Sequence, residues 1–204
     1  MKGNFITLEG IEGSGKSTSL NTITEILIER HIDFIITKEP GGGPLGEDLR
    51  SMLLSKSSQI SPEVELLLMM ADRKNHIDNL VMPNINKGVW VISDRYLDST
   101  YAYQGGGRQI NTSKIDSLVR LLDLPQPNLT LLFDLSPSIA IDRAKKRSEL
   151  DRFESEPMDF HERIRDAYVS LYKNNPERFR MIDSSADFIE VKEQVEKILL
   201  EFIG

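Results

Sequence analysis

Cysteine is absent from the 204 residues, and that one gap removes disulfides, thiolate catalysis and cysteine-based zinc sites together. It suits a reducing compartment. Histidine is scarce as well: there are three, scattered, without the spacing that builds a metal cage. Long apolar runs are missing, since the most apolar stretch, Leu66 to Ala71, falls far short of the roughly 20 residues a helix needs to cross a bilayer. The opening Met1-Lys2-Gly3-Asn4-Phe5-Ile6-Thr7 runs straight into a strand-like segment with no apolar h-region, so no secretory signal is expected. A surplus of basic charge is lacking too. The formal net charge of -7 argues against a long polyanion as partner, because affinity for nucleic acid rests on Lys and Arg neutralising backbone phosphates. These absences point to a cytoplasmic protein that binds neither membrane nor nucleic-acid polymer. Small phosphorylated ligands stay open, because a local basic cluster can hold them inside an acidic chain.

What is present is an ordinary globular composition, 39% hydrophobic and 28% charged, with no internal repeat or low-complexity tract. The length predicts one domain, residues 1–204. Five short β-rich runs stand out: Phe5 to Leu8, Phe34 to Thr37, Val89 to Ser93, Leu129 to Phe133 and Arg180 to Ile182. Their near-continuous apolar character fits strands covered on both faces, as in a parallel sheet. Between them, Ser61-Pro62-Glu63, Ser136-Pro137-Ser138 and Glu156-Pro157-Met158 place Pro at a first helical position, two of them behind an N-capping Ser. The alternation predicts a three-layer α/β fold, a five-stranded parallel sheet with helices on both faces and ligands at the carboxyl ends of the strands.

Directly after the first run comes Gly10-Ile11-Glu12-Gly13-Ser14-Gly15-Lys16-Ser17-Thr18, a full match to the phosphate-loop pattern G-x-x-x-x-G-K-[ST]. The glycines allow a tight turn that aims backbone N–H groups at phosphate oxygens, and the helix starting near Gly15 adds the positive end of its dipole. Lys16 would bridge the β- and γ-phosphates of ATP, and the Ser17 hydroxyl would ligate Mg²⁺. All nine residues are therefore candidate ATP contacts. The loop specifies a phosphate binder and leaves the reaction open, since switches, ATPases and small-molecule kinases all use it.

Arginines beside strand ends narrow the choice, because an acceptor that already carries a phosphate needs guanidinium forks to hold it. Asp94-Arg95-Tyr96 follows the third run, with Asp94 placed to organise Mg²⁺ and Arg95 to grip phosphate; Glu39-Pro40-Gly41 follows the second, and Arg50 and Arg73 lie further along. No Asn-Lys-x-Asp signature for reading guanine is present.

The blocks Phe5-Ile6-Thr7-Leu8-Glu9-Gly10, Lys38-Glu39-Pro40-Gly41-Gly42, Asp94-Arg95-Tyr96, Ser99 to Gly105, Pro127 to Asp134 and Glu149 to Glu154 closely resemble those of bacterial thymidylate kinases, in the family's order. That family belongs to the nucleoside monophosphate kinase group of P-loop proteins. The resemblance implies transfer of the γ-phosphoryl group of ATP to dTMP, with Mg²⁺ as cofactor, in dTTP biosynthesis. It implies that Arg50, Arg73 and Arg95 hold the dTMP phosphate and orient the base, and that Glu39 and Glu9 lie near the acceptor and the metal. Thr100 and Gln104 match the polar pair at the pyrimidine edge, and Tyr103 matches a ring that fills the place of a ribose 2′-OH. Where bacterial relatives commonly stack Phe on thymine, this chain has Met69, a softer cover for an aromatic face or simply a core residue.

The resemblance also implies a small mobile lid over about residues 142–156, overlapping Ile141 to Arg152, the strongest concentration of basic charge in the chain. The phosphate loop carries no arginine, so the lid is expected to supply it: Arg147 or Arg152 at the transferred phosphoryl group, Arg143 on the adenine side. A homodimer is implied as well, with Val64 to Ala71 open as core or interface.

Overall fold

The computed structural model describes residues 2–147 and 149–204, with the backbone alone at Arg147. In chain order the elements are β1 (Phe5–Glu9), α1 (Lys16–Glu29), β2 (Phe34–Lys38), α2 (Gly46–Leu54), α3 (Pro62–His76), α4 (Met82–Asn86), β3 (Trp90–Asp94), α5 (Leu97–Thr100), α6 (Thr112–Leu122), β4 (Leu129–Asp134), α7 (Pro137–Arg147), α8 (Met158–Asn174), β5 (Phe179–Asp183) and α9 (Phe188–Ile203). Two π-helical stretches, Ile77–Val81 and Tyr101–Gly107, continue α3 and α5.

The strands form one five-stranded sheet in the order β2-β3-β1-β4-β5, and every pairing is parallel. β1 is buried along its whole length between β3 and β4, as its unbroken FITLE run predicts. Its alternate side chains feed two cores. Phe5, with Val91 of β3, packs against Leu66 and Met70 of α3 and Ile115 of α6. Ile6 and Leu8 turn the other way, joining Ile23 and Leu27 of α1 and Val195 and Leu199 of α9. A third cluster lies over β4 and β5, where Leu132 and Phe179 meet Phe160, Ile164 and Tyr168 of α8. Those three side chains stand four residues apart, the spacing that lines one face of a helix.

Helix starts follow local chemistry. Ser61 Oγ accepts the Val64 N–H at 3.3 Å with Pro62 behind it, and Asp187 Oδ1 accepts from Ile189 and Glu190 at 2.8 and 3.0 Å. At Pro157 the structure differs from expectation by one residue. Its ψ of 156° is extended, so Pro157 caps α8 rather than opening it.

Register then positions the site. Leu8 pairs with Asp94, so the phosphate loop after β1 and the Asp94-Arg95 step after β3 emerge side by side at the carboxyl edge of the sheet. Leu131 at the centre of β4 is fully buried in the cluster shared with α1 and α9. Leu131→Ala is expected to lower the unfolding free energy by about 2–5 kcal/mol, measured from urea transitions.

Candidate active site

The phosphate loop is held by two close backbone approaches. Gly10 has φ 138° and Gly13 φ 76°, and an added Cβ would lie 2.5 Å from the carbonyl oxygens of Phe133 and Ala140 respectively. Only glycine fits either place. Gly15, left-handed at φ 91°, caps α1, so the free N–H groups of the first turn open on the loop. Lys16 folds over that turn, its Nζ donating to the Gly10 and Ile11 carbonyls at 3.0 and 2.9 Å and to Ser14 Oγ at 3.4 Å. Burial first, then the nearby Arg95 charge, pushes its ammonium down to about 8. Added negative charge at this spot, such as a triphosphate, would restore the cation.

Arg95 is the most constrained side chain of the site. Its backbone is left-handed at φ 72°, a conformation that costs a non-glycine residue roughly 1–2 kcal/mol and persists only when neighbours impose it. Here the Arg95 N–H donates to the Leu8 carbonyl at 2.9 Å. Its Nη1 donates to the Gly10 carbonyl at 2.8 Å, Ser99 Oγ at 3.1 Å and Tyr168 Oη at 3.2 Å; Nη2 reaches Glu12 Oε1 at 2.8 Å and Tyr103 Oη at 3.1 Å. The Tyr103 ring lies beneath the guanidinium at 5.0 Å, and its hydroxyl donates to Glu12. Burial would push the Glu12 carboxyl up, but Arg95 and Lys16 override it and hold it below its usual value.

Behind Arg95 lies Glu9. One oxygen accepts the Tyr96 N–H at 2.8 Å; the other accepts the Ser99 and Tyr168 hydroxyls at 2.6 and 3.0 Å. Both oxygens are thus engaged by protein donors, so Glu9 sits beneath the cleft as part of its frame. Burial, followed by the Asp98 charge, raises it to about 7.

Across from the loop stands a second set. Glu39, joined to Pro40 by a cis peptide, accepts from Arg73 Nε at 2.7 Å and faces His76 Nδ1 at 2.8 Å. Arg73 also donates to Thr100 Oγ1 at 2.7 Å and to the Tyr96 carbonyl at 2.9 Å, and Arg50 donates to the Pro40 carbonyl at 2.8 Å. One cleft of about 490 Å³ joins the two sets. Of the predicted site residues, Glu12, Gly13, Gly15, Lys16, Ser17, Thr18, Asp94, Arg95 and Arg143 line it, as do Glu39, Pro40, Arg50, Met69, Arg73, Thr100, Tyr103 and Gln104. Gly10, Ile11 and Glu9 do not line it, and Ser14 borders a smaller pocket beside it. Arg143 also borders this smaller pocket, of about 210 Å³, with Gly15, Thr18 and Ser184, and donates to the Ser184 carbonyl at 3.2 Å.

Arg152 is not brought to the phosphate loop. Its Nε donates to the Leu53 carbonyl at 2.7 Å, Nη1 pairs with Glu65 at 2.8 Å, and the guanidinium stacks on Phe153 at 4.4 Å. The side chain of Arg147 lies outside the described residues.

Several side chains of the site went unassigned from sequence. Glu65 offered a signal, a lone carboxylate in the apolar run of α3 and eight residues before Arg73, which sets both on one helix face. Tyr168 shared the four-residue stripe of α8, but nothing in the sequence pointed its hydroxyl at Glu9. Ser99, Leu54, Asp151, Phe153 and Glu154 also line the cleft.

A lysine-bearing phosphate loop facing arginines across one cleft, on a five-stranded parallel sheet, defines a P-loop kinase of the nucleoside monophosphate class. The thymidylate kinase family model matches residues 8–195. The chain is 46% identical to the thymidylate kinase of Carboxydothermus hydrogenoformans over 90% of each chain, and 41% identical to that of Nitrosomonas europaea over 98% of this chain and 94% of the relative. The crystal structure of thymidylate kinase from Ehrlichia chaffeensis superposes with a TM-score of 0.80 at 33% identity, covering 98% of this chain and 99% of that one. The chain belongs to the thymidylate kinase family.

The raised Glu9 favours the folded state below the usual carboxyl range, and that contribution is lost as pH climbs from about 4.5 through about 7. Glu9→Gln removes the titration. The unfolding free energy of the variant relative to the parent is therefore expected to rise between pH 5 and pH 8 in chemical-denaturation series, then level off.

Proposed function

We propose that the protein transfers the γ-phosphoryl group of ATP to dTMP, forming ADP and dTDP on the way to dTTP. The observation that carries this reading is the single cleft lined by the phosphate loop with Arg95 against it, and by Arg50 and Arg73. Two anionic groups would sit end to end in this cleft, each facing cations that protein contacts already hold in place.

The residues present fit a divalent cation. Asp94 Oδ1 is buried and has no hydrogen-bond partner among the described residues, and Asp94 shares the cleft with Ser17. Asp94 and Ser17 would hold Mg²⁺, which when bound supplies positive charge to the β- and γ-phosphate oxygens. Lys16 and the amides of the turn orient the same phosphates, and Arg95 holds the acceptor phosphate in line. The attacking oxygen of a monophosphate is anionic near neutral pH, so the step needs no general base. None of the three histidines lines the cleft among the described residues.

Tyr103, its hydroxyl held by Arg95 and Glu12, would fill the space a ribose 2′-OH needs, favouring a deoxyribose acceptor. Met69 would cover the face of the base. Arg143, between the main cleft and the smaller pocket, would contact adenine. Residues 142–156 would act as the lid that excludes water, with Arg147 or Arg152 completing the cation set on closure. For Arg152 that requires release from Glu65. The exposed Val64 and Leu67 of α3, beside the buried Leu66 and Met70, support a homodimer. Among the described residues no helix is long and apolar enough to cross a membrane, in keeping with a cytoplasmic place of action.

Lys16→Ala and Arg95→Ala are each expected to lower turnover by about 10² to 10⁵ in a coupled ADP-release assay. Near-parent turnover in either would contradict these roles. Offering dTMP, dUMP, dCMP, dGMP and thymidine separately tests the acceptor, with dTMP expected to give the highest kcat/KM.

A further inference from the structure

Glu65 is 1% exposed, on the inner face of α3, and lines no part of the cleft. Three side chains converge on it. Gln104 Nε2 donates to Oε1 at 2.9 Å, Arg108 Nε lies 3.3 and 3.2 Å from the two oxygens, and Arg152 Nη1 pairs with Oε2 at 2.8 Å. Two guanidinium groups thus hold the carboxylate where Gln104 meets it. Gln104 is itself buried, at 1% exposure, yet borders the cleft.

The chemistry of that contact decides which way the Gln104 amide points. A carboxylate only accepts hydrogen bonds, whereas an amide has one donor end and one acceptor end. The NH₂ end must therefore face Glu65. The carbonyl Oε1 is left over, and no hydrogen bond among the described residues claims it. Thr100, four residues earlier and also on the cleft wall, is the complement: its Oγ1 accepts from Arg73 at 2.7 Å, and its own proton is donated to no described residue. The wall therefore presents a hydroxyl donor next to an amide acceptor.

We propose that Glu65 is a positioning residue for base selection: by accepting the Gln104 amide nitrogen it keeps the Gln104 carbonyl oxygen available to the cleft as an acceptor. The inference rests on the nucleotide-kinase reading of the cleft. A pyrimidine with a ring N–H beside a carbonyl, as in thymine and uracil, matches acceptor and donor together. Cytosine offers an unprotonated ring nitrogen beside an amino group, so acceptor meets acceptor and donor meets donor. With Gln104 free to rotate its amide, that mismatch would be relieved. With Glu65 in place it is not. A buried polar group left facing its own kind loses far more than a missing contact in an adaptable site.

The test compares dUMP with dCMP, which share sugar and phosphate, lack the methyl group, and differ only at the edge in question. In Glu65→Gln the neighbour of Gln104 both donates and accepts, so either amide orientation is allowed. The ratio of kcat/KM for dUMP over dCMP is expected to fall by roughly tenfold or more relative to the parent. A purely structural role would lower both acceptors alike, and an unchanged ratio overturns the proposal. Glu65→Asp serves as the second variant should Glu65→Gln not fold. It keeps the charge facing Arg108 and Arg152 while withdrawing the oxygen from Gln104, and the same narrowing is expected. The parent alone gives an independent arm. With dTMP labelled with ¹⁵N at the ring N–H, the bound imino proton should be protected and downfield in the NMR spectrum, and lost in Gln104→Leu; its absence in the parent overturns the proposal. Failure of the parent to phosphorylate dTMP would instead refute the underlying reading of the cleft.

Discussion

The site depends on the pairing of Arg95 with Glu12 across the carboxyl ends of β3 and β1. Both groups are largely withdrawn from water, and a buried ion pair seldom repays the desolvation of its members. Its worth here is positional. The pair ties the phosphate loop to the third strand, and the same guanidinium reaches the Gly10 carbonyl and the hydroxyls of Ser99, Tyr103 and Tyr168. Glu9 braces this arrangement from below through Tyr96, Ser99 and Tyr168, joining β1, α5 and α8. The left-handed backbone at Arg95 is the visible cost of that bracing.

The same device recurs around the cleft. Arg73 has Glu39, and Arg108 and Arg152 have Glu65 behind Gln104. Arg73 and Arg95 are thus held by carboxylates, while Arg50, Arg143 and Lys16 are held by backbone carbonyls, so their positions are set before any ligand arrives. That resolves the tension between an acidic chain and an anion-binding role. The carboxylates are the mounts on which the arginines are aimed, and preorganised charge of this kind does its work without reorganising during the reaction.

Much of this was legible in the sequence for a physical reason. β1, β3 and β4 are covered on both faces, so apolar residues fill them almost without interruption, and each strand was found to within one or two residues at either end. The phosphate loop was legible because a turn that tight tolerates only glycine at Gly10 and Gly13, and the pattern survives as a spacing. Prolines at helix starts were legible for a similar reason, though Pro157 proved to be a cap. Less legible were residues whose role depends on a distant partner: the hydroxyl of Tyr168, the carboxylate of Glu65, and Arg152, expected at the transferred phosphoryl group but paired here with Glu65 and stacked on Phe153.

By itself, then, the sequence determined what local chemistry dictates: the absence of thiol chemistry, the alternation of strands and helices, the phosphate-binding turn, and the arginines poised after strand ends. Only the tertiary structure decided which carboxylate holds which arginine, that Glu9 is spent on protein donors, and which end of the Gln104 amide meets Glu65. Hydrogen bonds and ion pairs act over about 3 Å, and the pairs that matter here are separated by 27 to 159 positions along the chain. Spacing in sequence carries no record of such contacts until the parallel sheet brings the strand ends together.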